Sequence, residues 1–145
     1  RLNDWWLLLF FFYFWEYSLF KQVLIVGIAG LIGTVSRFLS NHIIHKYFIT
    51  SFPIGSLLVN LVGCFLIGFF LGLFEKGSLV SADLKLFLTV GFCGGFTTFS
   101  TFSNDSINLY NNSDFLNLMM YLGVSIFAGI FMTFLGKLSI DWILK

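Results

Sequence analysis

The stretch Gly94–Phe102, GGFTTFSTF, interrupts a segment that is otherwise apolar enough to cross a membrane. Its two adjacent glycines permit backbone conformations that other residues avoid, so we expect the helix to unwind at Gly94 and Gly95. Irregular backbone at bilayer depth is tolerated only where it is buried in protein or lines a cavity. The stretch therefore predicts that this segment forms part of a pathway through the membrane. A helix that only anchors a protein would not need such a sequence.

The composition is that of a chain whose solvent is lipid. Of its 145 residues, 58% are hydrophobic and only 10% are charged, whereas about a quarter of the residues in soluble domains are charged. The net charge of +1 leaves no basic patch that would bind a nucleic acid. Cys64 and Cys93 lie in apolar segments without metal-ligand spacing, so we expect free thiols there.

Four stretches of the chain approach or reach the length of about 20 apolar residues that a membrane-spanning helix needs. They predict an all-α integral membrane protein with four transmembrane helices, at about Val23–Leu39, Ile54–Phe74, Leu84–Leu109 and Leu118–Leu138. Glycines recur along these helices at spacings that favour close helix packing in lipid. Residues 21–145 are therefore expected to form a single four-helix membrane domain.

The opening segment, residues 1–20, is dense in tryptophan, phenylalanine and leucine. It is slightly short for a span, and its acidic start and lack of a small-residue cleavage site make it a poor signal peptide. We interpret it as an appendage, either interfacial or a loosely packed extra helix. Because the chain begins at Arg1 and not at a methionine, we expect a fragment or a mis-assigned start.

The predicted spans carry neutral polar groups and no charge near their middles. Asn60 lies half-way along the second span, where a buried amide is costly unless it forms hydrogen bonds. It could bond to a neighbouring helix or donate N–H groups to a passing anion, and the sequence leaves both roles open. Phe99 and Phe102 stand three residues apart, and rings turned edge-on could hold a small anion without offering it a full charge.

The same residues exclude or disfavour several kinds of protein. No Asp, Glu, Lys or Arg lies near the middle of a span, which counts against a proton-coupled transporter. No histidine or buried carboxylate accompanies the hydroxyls to activate a nucleophile, so we do not expect an enzyme. Carbonyls freed around Gly94 to Thr97 could coordinate a cation, although one chain offers too few and two copies across a two-fold axis could complete the shell.

From about Lys21 to its end, the chain resembles the CrcB/Fluc fluoride channels, a family of small bacterial membrane proteins that export fluoride. Three motifs carry the resemblance, one in each of the first three spans: GIAGLIGTVSRF at 27–38, PIGSLLVNLVGCFLIGF at 53–69 and GFCGGFTTFSTFSND at 91–105. The resemblance implies a passive fluoride channel of the bacterial plasma membrane that confers fluoride resistance. It also implies an antiparallel, dual-topology homodimer with two pores and a structural sodium ion at the dimer interface.

The resemblance further implies roles for particular residues. The fluoride pathway would be lined by an amide, two phenylalanines and several hydroxyls, at Asn60, Phe99, Ser100, Thr101, Phe102 and Ser125. The sodium ion would be bound by the backbone carbonyls of Gly94 and Thr97. Arg37 matches an arginine of the family, and we expect Arg37, Gly95 and Asp105 to serve the structure or the subunit interface.

Some positions depart from the family's pattern. The acidic residue after TTFSTFS is usually Glu, and Asp105 is one methylene shorter. A second hydroxyl expected about one turn after Ser125 falls on Gly129, with Thr133 one turn further. Lysines are more frequent on the side of the chain termini, which gives a modest preference for a cytoplasmic N-terminus. That bias fits poorly with dual topology, and a paired, oppositely oriented partner protein is the alternative.

Two rivals to the fluoride channel remain from the sequence. One is a small four-helix drug or cation exporter, which the missing intramembrane acid disfavours. The other is a non-transporting structural subunit of the membrane, for which the helix-packing glycines would suffice. Neither rival explains why hydroxyls follow the glycines of the third span.

Overall fold

The computed structural model describes residues 5–77 and 81–144 of the chain, with side chains from Ser18 onward. This part of the chain is helical throughout, with short connections. The elements are α1 (Trp5–Tyr47), α2 (Ile54–Lys76), α3 (Ala82–Leu86), a π-helical segment (Phe87–Cys93), α4 (Gly94–Phe96), α5 (Phe99–Asn111) and α6 (Phe115–Ile143).

Four lengths of helix are long and apolar enough to cross a membrane. They are Ser18–Tyr47, Ile54–Lys76, Ala82–Asn111 and Phe115–Ile143, of which the third comprises α3, the π-helical segment, α4 and α5. The prediction of an all-α protein with four spans is confirmed. Each observed span is longer at one or both ends than the sequence analysis proposed, because helical turns continue into the polar flanks.

The first helix does not stop at the predicted start of the membrane domain. α1 runs without interruption from Trp5 to Tyr47, through the boundary expected between residues 20 and 21. The backbone of residues 5–20 therefore continues the first span, and a separate extra helix is not formed. The interpretation of residues 1–20 as an appendage to a domain of residues 21–145 stays a prediction.

Glycines bring α2 and α6 into direct backbone contact. Gly68 lies against the carbonyl of Thr133, and Gly136 lies against the carbonyl of Phe65, so a side chain at either glycine would collide with main chain. The third span approaches α1 in the same way, since a Cβ on Gly95 would lie 2.5 Å from a backbone oxygen of that helix. The predicted role of small residues in close helix contact is confirmed at these points.

Three ion pairs lie at the end of the bundle where α1 enters it and α2 and α6 leave it. Lys21 pairs with Asp83, Lys76 with Asp141, and Lys137 with Glu75, joining α1 to α3 and α2 to α6. All six side chains are 40–59% exposed, so each pair contributes at most about 1 kcal/mol. The pairs mark the ends of the spans. Each joins two spans at corresponding ends, so the first and third spans run in the same direction, and so do the second and fourth.

The backbone contact at Gly136 leads to a stability prediction. Gly136→Ala places a methyl group where it would lie 2.8 Å from the backbone nitrogen of Phe69, and we expect a loss of about 1–3 kcal/mol in the free energy of unfolding. Gly123→Ala is the matched control on the same helix, because no atom of another described element lies within 4 Å of its Cβ position. Denaturant unfolding of the purified protein measures both, and equal stability of the two variants would refute the close contact.

Candidate ion pathway

The third span is broken one turn after the two glycines. Gly94 has helical dihedral angles, φ −63° and ψ −37°, and Gly95 belongs to the same helical turn. Thr97 and Thr98 are extended, with ψ angles of 157° and 120°. The expectation that the helix unwinds at Gly94 and Gly95 is therefore wrong in position. Gly95 serves a close approach instead, because it packs against the backbone of Gly30 in α1.

Asn60 on α2 holds the break in place. Its Oδ1 accepts a hydrogen bond from the backbone N–H of Thr98 at 2.9 Å, and its Nδ2 donates to the carbonyl of Thr98 at 3.3 Å. Because the Thr98 N–H can only donate, this pair also fixes the orientation of the amide. The hydrogen bond to a neighbouring helix is thus confirmed for Asn60. A second N–H on Nδ2 remains for another acceptor.

Thr98 also caps the helix that follows the break. Its Oγ1 accepts the backbone N–H of Thr101 at 3.3 Å and lies 2.9 Å from the hydroxyl of Ser100. Thr98 is a residue to which the sequence analysis assigned no role. A threonine directly before a new helix start is a capping signal, but that signal is visible only if the break is placed after Thr98 and not at the glycines.

The break removes the helical hydrogen-bond donors of the Gly94 and Thr97 carbonyls. In a continuous helix the N–H of Thr98 would bond to the carbonyl of Gly94, and the N–H of Thr101 to that of Thr97. These N–H groups bond instead to Asn60 and to the Thr98 side chain. The carbonyl of Gly95, by contrast, accepts a hydrogen bond from the Thr34 hydroxyl at 3.4 Å.

A cavity of about 400 Å³ opens beside the break, between α2, the third span and α6. Its lining contains amide, hydroxyl, thiol, aromatic and aliphatic groups and no charged side chain: Asn60, Gly63, Cys64, Ile67, Thr89, Cys93, Gly94, Thr97, Thr98, Phe99, Phe102, Ser125 and Ile126. Four predicted pathway residues meet there, namely Asn60, Phe99, Phe102 and Ser125. The Oγ of Ser125 is buried and has no hydrogen-bond partner among the described residues.

Ser100 and Thr101 are not among the residues that line the cavity. Ser100 is exposed, and both hydroxyls lie within 3.4 Å of the Thr98 Oγ1. Since α5 starts at Phe99, these two side chains lie in its first turn, beside the Thr98 cap. Their predicted contact with the pathway is therefore indirect, through Thr98, which does line the cavity.

The two phenylalanines differ in their surroundings. Their ring centroids are 5.5 Å apart, and the Phe99 side chain is 79% exposed. Phe102 packs instead on the ring of Tyr121, which is fully buried and donates a hydrogen bond to Asp105 at 3.3 Å. Tyr121 was missed by the sequence analysis. It shows that Asp105 connects α5 to α6 within one chain.

Arg37 lies in α1, about one turn after Thr34, and forms no ion pair with the residues that the structure describes. Its role in the structure or the interface stays a prediction. Cys64 and Cys93 are free thiols, as expected. Within residues 5–77 and 81–144, no cluster of three or more His, Cys, Asp or Glu side chains could hold a metal ion.

The bundle and its cavity define a class of protein: a multi-span helical membrane protein with a neutral polar pathway beside a broken helix. Comparison with known proteins identifies the family. Residues 24–137 match the CrcB-like proteins, described as Camphor Resistance (CrcB), and the chain belongs to this family. It is therefore a multi-pass protein of the bacterial plasma membrane, and the alternatives of an enzyme, an exporter and a structural subunit are not favoured.

Curated relatives match over nearly their whole length. A protein from Flavobacterium psychrophilum is 41% identical over 116 residues, which cover 80% of this chain and 94% of the relative. Proteins from Clostridium novyi and Chlorobium phaeobacteroides are 44% and 42% identical, and 79% and 81% of this chain aligns with 93% and 91% of theirs. All three relatives are named fluoride-specific ion channels.

The cap on α5 leads to a second stability prediction. Thr98→Val removes the capping oxygen but keeps the backbone groups that Asn60 binds, and we expect a loss of about 1–2 kcal/mol in the free energy of unfolding. Thr98→Ser keeps the hydroxyl and should remain close to wild type. Denaturant unfolding compares the two variants, and a valine variant as stable as the serine variant would show that the cap contributes nothing.

Proposed function

We propose that the chain is a passive, fluoride-selective channel that exports fluoride and lowers its cytoplasmic concentration. The observation that carries the proposal is the neutral cavity at the break, where Asn60 keeps an unused N–H and Ser125 an unpartnered hydroxyl. Relatives that align over most of this chain are named fluoride-specific ion channels, which supports the same function.

The lining suits a small anion that has to be both dehydrated and released. Fluoride is strongly hydrated, so the amide of Asn60, the hydroxyls and the ring edges of Phe99 and Phe102 would replace its water. None of these groups carries a full charge, and conduction requires binding weak enough to let the ion leave. Chloride is larger and its charge more diffuse, so it would gain less from the same donors.

We also propose that two copies assemble as an antiparallel, dual-topology homodimer. Phe99 lines the cavity and is nevertheless 79% exposed, so the cavity is open on one side of a single chain. Gly94 is exposed beside it, and no other part of residues 18–77 and 81–144 lies within 4 Å of its Cβ position. A second copy against this side would cover both residues and close the cavity.

A structural sodium ion at the dimer interface is part of the same proposal. The carbonyls of Gly94 and Thr97 have lost their helical donors, and both residues line the cavity. Two copies would bring four such oxygens together, and hard cations prefer oxygen ligands of this kind. In this proposal sodium holds the two broken helices against each other and takes no part in moving fluoride.

Fluoride efflux from liposomes tests the function. We expect purified protein to release fluoride rapidly, without a proton gradient, and to retain chloride. Phe99→Ile and Phe102→Ile should each slow fluoride release about two- to tenfold, because a ring-edge contact is worth about 0.5–1.5 kcal/mol. Phe131→Ile, at an exposed position outside the cavity lining, is the matched control. A folded wild-type protein that releases no fluoride would refute the proposal.

Sodium depletion tests the structural ion. Exhaustive exchange of sodium for a large organic cation should abolish fluoride release and dissociate the dimer, because the four carbonyls would repel one another without it. Native mass spectrometry gives the subunit number, and restored sodium should recover both properties. Thr97→Ser, which keeps the carbonyl, should behave as wild type. A dimer that stays intact and active without sodium would exclude this role.

A further inference from the structure

A second cavity of about 400 Å³ lies further along the groove between α2 and α6. Its lining residues are Gly68, Leu71, Glu75, Ile130, Thr133, Phe134 and Lys137. The residues of α2 and α6 that line the first cavity are Asn60, Gly63, Cys64, Ile67, Ser125 and Ile126. On each helix, the residues that line the two cavities follow one another at intervals of one, three or four. They form one continuous stripe per helix.

The stripe on α2 leads from the break to the end of the bundle. From Asn60 to Glu75 it rises about 22 Å at 1.5 Å per residue, and α2 ends at the next residue, Lys76. The second cavity therefore lies between the candidate ion pathway and the bundle end that carries the ion pairs.

Charge distinguishes the second cavity from the first. Lys137 and Glu75 both line it and form an ion pair, with a closest N–O distance of 2.7 Å. Their side chains are 50% and 59% exposed, and pairs as exposed as this one hold their partners weakly. The Lys137 ammonium can therefore exchange Glu75 for an anion that arrives from water.

We propose that the second cavity is the mouth of the ion pathway at this end of the bundle, where Lys137 concentrates fluoride and Glu75 limits how tightly it is held. The inference rests on the proposed function as a fluoride channel. A positive charge at an opening raises the local concentration of anions and their rate of arrival. The adjacent carboxylate offsets part of this charge, so fluoride is held weakly enough to move on.

The two members of the pair should have opposite effects on fluoride flux. Lys137→Gln leaves Glu75 alone at the mouth and should lower flux, whereas Glu75→Gln frees Lys137 and should raise it. One unit charge several ångströms away in water changes the local anion concentration by about two- to threefold. Both effects should vanish at high salt, since the Debye length falls from about 30 Å at 0.01 M to about 3 Å at 1 M ionic strength.

The experiment is fluoride efflux from liposomes at these two ionic strengths, set with an impermeant salt. The matched control is Lys76→Gln, which removes a lysine at the same end of the bundle whose side chain pairs with Asp141 and lines neither cavity. We expect wild-type flux from the control. Lower flux at both ionic strengths in both Lys137→Gln and Glu75→Gln would show a structural brace and overturn the proposal. An equal effect of Lys76→Gln would also overturn the proposal, because it would show that any lysine at this end of the bundle acts through the general surface potential.

A labelling experiment separates this proposal from the proposed function. Thr133→Cys, with Cys64 and Cys93 replaced by alanine, places one thiol at the second cavity. An anionic methanethiosulfonate reagent should modify it faster than a cationic one, and Lys137→Gln should reduce that ratio about two- to threefold. Absence of wild-type fluoride flux would refute the function alone. A labelling ratio unaffected by Lys137→Gln would refute the proposal that Lys137 attracts anions to the second cavity, whatever ion the pathway carries.

Discussion

The break takes the N–H of Thr98 out of the helical hydrogen-bond pattern, and the side chain of Asn60 bonds to both this N–H and the Thr98 carbonyl. Without that amide, the helix would have to close over the break or leave the Thr98 N–H without a partner. The new helix start at Phe99, the Gly94 and Thr97 carbonyls without helical donors and the cavity beside them all depend on this one side chain.

The rest of the bundle keeps Asn60 and the break at the correct distance. Gly68 and Gly136 let the backbones of α2 and α6 touch. The two helices, which both line the cavity, are thereby held at a fixed distance from each other. Gly95 does the same for the third span against α1. Glycines thus set the distances between helices, neutral polar groups line the cavity, and charged pairs lie at one end of the bundle. Each kind of residue stands where its interaction is strongest or least costly.

The sequence was sufficient for features that depend on local composition. Four apolar lengths gave four spans, and the neutral residues Asn60, Phe99, Phe102 and Ser125 do meet at one cavity. The position of the break was not predictable in this way. Glycine permits an unwound helix but does not require one. The position of the break is set by the side-chain amide of Asn60, which lies on another helix.

Other features were missed for similar reasons. Tyr121 looks like one more apolar residue of the fourth span until its hydroxyl is found against Asp105. The π-helical segment Phe87–Cys93 has no distinctive composition, and the direction of the Ser100 and Thr101 side chains follows from where α5 begins.

The length of α1 has a consequence for the lipid around the protein. Its 43 residues rise about 65 Å, while the hydrocarbon core is about 30 Å thick. Even a tilt of about 40° would place only about 39 Å of helix inside that core. Lys21 pairs with Asp83 near the start of the third span, so much of the surplus precedes Lys21 and carries the apolar run WWLLLFFFYF. The chain therefore presents a hydrophobic mismatch on one side, and we expect it to thicken the adjacent leaflet and to prefer thicker bilayers.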